Sequence, residues 1–118
     1  MPGLVNAGKN LLLNGFSGSV TFVSLHTADP STNGASEVSA SPYTRESVTW
    51  GSPASASLQN SAQVIFDVPG STTITHLGYW SASTSGTFYG SRALDTSQTF
   101  ATAGTYTIAV SGITESIT

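Results

Sequence analysis

The chain has 118 residues, a formal net charge of −3 and 8% charged residues, where an average soluble protein has roughly a quarter. Three Lys and Arg residues are too few for the phosphate contacts of a nucleic-acid partner, and the run Leu11–Leu13 is far shorter than the ~18 apolar residues of a membrane span. The sequence contains no cysteine, which excludes disulfides and thiolate metal sites.

Uncharged hydroxyl side chains take the place of the missing charges, since the sequence has 20 Ser and 17 Thr residues. Disordered chains are poor in aromatic and β-branched residues, whereas aromatic residues make up 9% of this chain and are spread along it. We therefore expect an ordered protein. Its length suits a single domain over residues 1–118, with an N-terminal helix within 1–16 and a β-sandwich over 19–118.

The first segment predicts one amphipathic helix. Apolar residues recur there three and four positions apart, which places them in one stripe, with polar residues on the other side. Pro2 suits a first helical turn, and Asn14-Gly15 is typical of a helix end. A helix of this length is marginal alone and has to lay its stripe against another surface. The stripe consists of Leu4, Val5, Ala7, Leu11 and Leu12.

After Gly18 the apolar residues alternate with polar ones, which is the pattern of half-buried strands. Asp29-Pro30 and Asp95 mark turns, and the long polar segment Ser31–Pro42 is typical of a mobile or partner-contacting loop. Seven or eight short strands at this spacing predict a mainly β fold, an antiparallel sandwich or small barrel. The predicted strands lie at residues 20–25, 43–50, 64–68, 73–81, 88–94, 104–110 and 113–117.

Few residues suggest chemistry. His26 and His76 lie in no metal-ligand motif, so we expect structural roles, no metal and no other cofactor. Glu46 and Asp67 are the acids within predicted strands and would be the carboxylate pair of a glycan-cleaving enzyme, although so small a domain has little room for a sugar cleft. The expectation is a protein without catalytic residues.

Two further pairs have alternative interpretations. The aromatic rings of Tyr79-Trp80 would stack on a sugar if exposed, but in an alternating strand they are more typical of the core. Arg45 and Glu46 point to opposite faces of a predicted strand, where we expect surface ion pairs worth about 1 kcal/mol or less.

The surface suggests association. A soluble monomer usually keeps charges on its exterior, and an uncharged strand at the edge of a sheet invites pairing with another chain. We therefore expect partner contacts on the helix, in the Ser31–Pro42 loop and in the terminal segment Ser111–Thr118. The residues chosen for these contacts are Leu4, Leu11, Leu12, Asn33, Gly34, Ile113 and Ile117.

A set of short motifs carries a resemblance that covers nearly the whole chain. The most distinctive is Leu25–Pro30 followed by Glu37-Val38 and by Tyr43-Thr44-Arg45. Together the motifs resemble a family of small virion proteins of tailed bacteriophages, labelled tail fibre proteins and similar also to capsid decoration and minor capsid proteins. The stretches are Gly3–Ala7, Leu11–Leu13, Val23–Pro30, Gly34–Val38, Tyr43–Arg45, Val48–Gly51, Phe66–Pro69, Thr73–Trp80, Gly86–Gly90 and Gly104–Ile108.

The resemblance implies a non-enzymatic structural protein of the virion, assembled in the host cytoplasm. Our first hypothesis is a capsid decoration or minor capsid protein, a homotrimer that contacts the major capsid protein and stabilises the head shell. The alternative is a component of the tail fibre or tail tip that binds a receptor or glycan on the host surface. The glycan-cleaving enzyme is a distant third.

Overall fold

The computed structural model of the protein describes residues 3–117. Pro2, expected in the first helical turn, and Thr118, the last residue of the expected terminal contact segment, lie outside the described residues. The described part of the chain contains one helix and eight strands. In chain order these are α1 (Asn6–Ser19), β1 (Phe22–His26), β2 (Glu46–Ser47), β3 (Ser57–Gln59), β4 (Val64–Val68), β5 (Thr72–Trp80), β6 (Phe88–Phe100), β7 (Gly104–Ile108) and β8 (Thr114–Ser116).

A four-stranded sheet in the order β2-β1-β5-β6 forms the centre of the molecule. All three pairings are antiparallel, and β1 runs beside β5 with Phe22 opposite Trp80 and His26 opposite His76. Four successive residues of β1, from Val23 to His26, are buried. Both faces of β1 are therefore covered, whereas a half-buried strand has only one covered face.

Two smaller antiparallel sheets, β4-β7 and β3-β8, complete the β structure. Strand β4 alternates as the sequence predicts: Val64, Phe66 and Val68 are buried, and the two residues between them are exposed. The inward side chains of the central sheet and of β4-β7 meet in one core, which Ile113, next to β8, also joins. Its fully buried apolar members include Val23, Leu25, Phe66, Val68, Ile74 and Ile113. The fold class is thus mainly β and antiparallel with one N-terminal helix, as predicted.

Two predicted strands differ from the structure by three residues or more at an end, and β3 lies where no strand was predicted. The expected strand 43–50 shrinks to β2, Glu46–Ser47, because the side chains of Tyr43 and Arg45 turn toward Glu37 and only the next two residues pair with β1. Asp95 does not start a turn either: β6 continues to Phe100 through a break in register opposite β5. Irregular pairing of this kind absorbs extra residues that would otherwise end a strand.

The helix begins and ends later than the sequence indicates, and Leu4 and Val5 of the predicted stripe precede it. It runs to Ser19 through Asn14-Gly15, the predicted stop, so the limit at residue 16 is wrong. Phe16 packs edge-on against Trp50 and Tyr79, and this tertiary contact outweighs the cost of about 1 kcal/mol that glycine carries inside a helix. Among residues 3–117, no helix is long and apolar enough to cross a bilayer.

The central sheet needs a glycine at one position. A methyl group on Gly78, in β5, would collide with Ser24 Oγ and His26 Nε2 on the neighbouring strand β1. Those two side chains occupy the space above Gly78, so a larger residue there would have to push apart two buried polar groups.

We predict that Gly78→Ala lowers the free energy of unfolding by about 2 to 3 kcal/mol, because it overpacks a filled interior. Gly15→Ala is the matched control: no other atom lies within 4 Å of the added methyl group, so helix propensity should raise stability by up to about 1 kcal/mol. Urea denaturation measures both. Equal effects of the two substitutions would contradict the steric role of Gly78.

Candidate interaction surface

The motif residues that are far apart in the sequence converge on one guanidinium group. Arg45 Nε donates to Glu37 Oε2 at 2.9 Å, and Nη2 donates to Glu37 Oε1 at 3.0 Å, so the pair is bidentate. The Arg45 guanidinium also lies over the ring of Trp80, 3.7 Å from its centroid. Its remaining nitrogen, Nη1, donates to the carbonyls of Ala82 and Ser85 at 3.1 and 2.8 Å. Arg45 thereby ties two loops to the central sheet.

Tyr43 extends this cluster into the core. Its hydroxyl donates to Glu37 Oε2 at 2.7 Å and accepts a hydrogen bond from the backbone N–H of Leu25 at 3.1 Å. Burial, and then the hydrogen bond to the Glu37 carboxylate, raises the pKa of Tyr43 above its ordinary range. The phenol therefore remains a donor, and the backbone of β1 is joined to the loop that carries Glu37.

A second chain of hydrogen bonds crosses the central sheet beside the first. Trp80 Nε1 donates to Ser24 Oγ at 2.9 Å, and Ser24 Oγ lies 2.6 Å from His26 Nε2. The other ring nitrogen, Nδ1, lies 2.7 Å from the carbonyl oxygen of Ala35, which can only accept. Nδ1 therefore carries the proton, and Nε2 accepts from the Ser24 hydroxyl. Burial lowers the pKa of His26 below its ordinary value of 6.5.

The burial and the hydrogen-bond partners of these polar groups indicate that they stabilise the fold. Ser24 and His26 are fully buried, and every polar atom named above has a partner within the chain. Tyr79 and Trp80 are 3% and 8% exposed, so the interpretation of these rings as a sugar-stacking surface is wrong, and they belong to the core instead. Arg45 does not form the surface pair expected beside Glu46, since its partner is Glu37 and its side chain is only 9% exposed.

The remaining candidates for chemistry are dispersed. Glu46 Oε2 accepts from Thr44 Oγ1, and Asp67 points outward from β4. His76 Nδ1 lies 2.8 Å from Thr75 Oγ1. Within residues 3–117 no three His, Asp or Glu side chains gather as a metal site requires. A groove of about 410 Å³ beside β3, lined by Gln59, Asn60 and small residues, presents hydroxyl and amide groups and no ionisable side chain.

The predicted contact residues outside the helix fall in different environments. Asn33 is exposed, but its Oδ1 accepts from the backbone N–H of Ala35, and Gly34 packs directly against Trp80. Ile113 is fully buried, so its side chain belongs to the core and is not available to a partner. Ile117 is half-buried, and its backbone N–H donates to Ala56.

The terminal segment is paired on one side, because β8 forms a two-stranded sheet with β3. One edge of β8 is therefore occupied, while its other edge pairs with no strand among residues 3–117, so the strand edge expected within Ser111–Thr118 stays a prediction. The helix remains as the predicted contact region with apolar side chains that face outward.

Helix α1 carries its apolar stripe on the outside. The opposite face packs on the sheets: Leu13 is buried, Phe16 touches Trp50 and Tyr79, and Asn10 Oδ1 accepts from the backbone N–H of Ala56. The stripe identified from the sequence faces away from these contacts. The side chains that it leaves exposed are Val5 at 73%, Leu11 at 71% and Leu12 at 45%.

This arrangement inverts the usual orientation of a surface helix, whose apolar side faces the core. Leu4, the other predicted contact residue of the stripe, is half-buried and lies beside Gly8. The single charged residue of α1, Lys9, is half-buried and not on the outer face. We call the outer face of α1, with Gly8, Leu11, Leu12, Gly15 and Gly18, the apolar helix face. An exposed apolar patch of this kind typically marks a contact site.

Comparison with known proteins agrees with the resemblance seen in the motifs. Residues 6–116 match the family model described as "Podophage GP4 fiber I protein gp80", and the chain belongs to this family. Comparison with curated proteins finds no match. The family consists of tailed-phage virion proteins, and its description names a fibre protein. The match therefore supports a structural role for the chain in the virion.

We predict that Arg45→Met lowers the free energy of unfolding by about 3 kcal/mol, because it leaves the Glu37 carboxylate without its partner in a mostly buried site. Arg92→Met is the control. The Arg92 guanidinium lies 3.6 Å from Glu115 with both side chains about 30% exposed, so its loss should cost only about 1 kcal/mol. Urea denaturation followed by tryptophan fluorescence compares the two, and a similar small loss for both would refute the central role of Arg45.

A pH dependence follows from the buried His26. The folded protein holds this ring neutral, whereas the unfolded chain takes up a proton below the ordinary pKa of 6.5, so the unfolding free energy should fall as the pH drops below that value. The contribution of the neutral His26 ring to the unfolding free energy is complete above pH 6.5. Denaturation curves between about pH 7.5 and pH 5.5 measure the slope. His26→Gln should flatten it, and His76→Gln should retain it; a slope unchanged in His26→Gln would contradict the assignment.

Proposed function

We propose that this protein is a structural subunit of a podophage tail fibre. The observation that carries the proposal is the match of residues 6–116 to a family described as a fibre protein. Of the two virion locations considered from the sequence, that description favours the fibre over capsid decoration. The proposal assigns no reaction to the chain, and the partners it requires are other fibre components, among them further copies of the same chain.

The apolar helix face supports this role physically. A monomer with 8% charged residues and an exposed stripe of Leu11 and Leu12 is poorly protected from association in solution. In a permanent assembly the same stripe is an advantage, because each Å² of apolar surface removed from water contributes about 25 cal/mol before the costs of association. A fibre subunit keeps such contacts for the life of the particle.

The proposal is limited to the structural role and does not include sugar binding by Tyr79 and Trp80. Those rings are in the core, where Trp80 supports Arg45 and Tyr79 packs on Phe16. A contact with the host surface would have to use other residues of the fibre.

Labelling of intact virions tests the location. We expect antibodies against the protein, imaged by electron microscopy, to bind at the tail, and particles assembled without the protein to keep DNA-filled heads while they lose fibre density. A preparation without the primary antibody is the control. Label distributed over the head, or heads that lose their DNA when the protein is absent, would refute the fibre and favour capsid decoration.

A further inference from the structure

The chain contains two Asn-Gly pairs, Asn14-Gly15 and Asn33-Gly34, in very different surroundings. The first pair lies inside α1, and the second lies in the loop between β1 and β2, where Asn33 is exposed. An asparagine that precedes glycine is prone to spontaneous loss of its side-chain amide, because glycine has no side chain to hinder an attack by its own nitrogen. Both pairs share this chemistry, so the fold decides which of them reacts.

Helix α1 protects the first pair. In an α-helix each N–H donates to the carbonyl four residues earlier, which engages the Gly15 nitrogen. The helical ψ angle of Asn14 also holds that nitrogen out of the plane of the five-membered ring that the attack has to close. Reaction at Asn14 therefore requires the helix to open locally, which costs free energy.

The second pair has neither constraint. Within residues 3–117, the main-chain N–H and C=O groups of Asn33 and Gly34 form no backbone hydrogen bond. The Asn33 side chain is folded back toward its own main chain, because its Oδ1 accepts from the backbone N–H of Ala35 at 3.1 Å. Negative charge develops on this same oxygen when Cγ is attacked, so the N–H of Ala35 stabilises the transition state.

We propose that Asn33 is a site of spontaneous deamidation through a succinimide. The Gly34 nitrogen bonds to Asn33 Cγ and gives its proton to the solvent, the bond between Cγ and Nδ2 breaks, and Nδ2 takes up a proton and leaves as ammonia. One water molecule then opens the ring at either of its two carbonyls. Opening at Cγ yields aspartate, and opening at the main-chain carbonyl yields isoaspartate, so the reaction consumes water and needs no oxidant or reductant.

The modification changes both the main chain and the charge of this loop. Isoaspartate adds one methylene group to the main chain immediately before Gly34, which lies so close to the Trp80 ring that a methyl group on it would collide with the ring. The next residue, Ala35, holds the buried His26 ring through its carbonyl oxygen. Either product also adds a negative charge to a chain whose formal net charge is −3. A virion protein is not replaced after assembly, so the products accumulate as the particle ages.

Two Asn-Gly pairs in one chain provide an internal control. Folded full-length protein is incubated at mildly alkaline pH, and the peptides that contain each pair are followed by mass spectrometry, since deamidation raises the mass by about 1 Da. A methyltransferase specific for isoaspartate detects that product independently. The same incubation in concentrated urea, where the fold holds neither pair, gives the reference rates, and protein digested without incubation is the blank.

We expect Asn33 to react at least about tenfold faster than Asn14 in the folded protein, because the helix must open first, and the two rates to converge in urea. Asn33→Gln should abolish the isoaspartate label in the folded protein and leave its circular dichroism unchanged, since the exposed longer side chain closes a five-membered ring no more. An unmodified Asn33 in folded protein after a time that converts it in urea, or equal rates at the two pairs before unfolding, would overturn the proposal. These outcomes are independent of the fibre role, which the labelling of virions tests separately.

Discussion

The bidentate ion pair of Arg45 with Glu37 over the ring of Trp80 is the interaction on which the rest of the fold depends. The chain has nine charged residues, and it places two of them in this mostly buried site. Through the Arg45 guanidinium, the loop after β1 and the loop after β5 are attached to the same edge of the central sheet. Removal of either charge would leave the other uncompensated, so the polar cluster has to be complete or absent.

Four of the motifs by which the chain resembles its family supply the residues of this cluster and of the hydrogen bonds beside it. His26, Glu37, Tyr43, Arg45 and Trp80 come from four separate stretches, and each has its partner inside the molecule. In these four stretches the resemblance therefore reports on how the chain folds. The apolar helix face is the surface that we propose for contacts in the virion: the inner side of α1 is held by Phe16 and Asn10, which leaves Leu11 and Leu12 exposed.

Much of the fold could be predicted because it depends on local periodicity. The alternation of Val64, Phe66 and Val68 predicts β4 correctly, and the segments assigned to β1, β5 and β7 pair as antiparallel strands. Limits that depend on contacts distant in sequence were wrong. The helix passes its predicted stop because Phe16 packs on Trp50 and Tyr79, and β6 passes Asp95 because its register shifts against β5.

The sequence by itself determined that the chain is mainly β, that it is poor in charge and that its first helix has one apolar side. Only the tertiary structure decided which side of that helix meets the sheets, because a periodic pattern shows that two faces differ without showing which one the rest of the chain can cover. The same reason applies to Arg45 and Ile113. Whether a charge is paired in the interior, or an apolar residue near the end of the chain is buried, depends on segments brought together only when the sheets assemble.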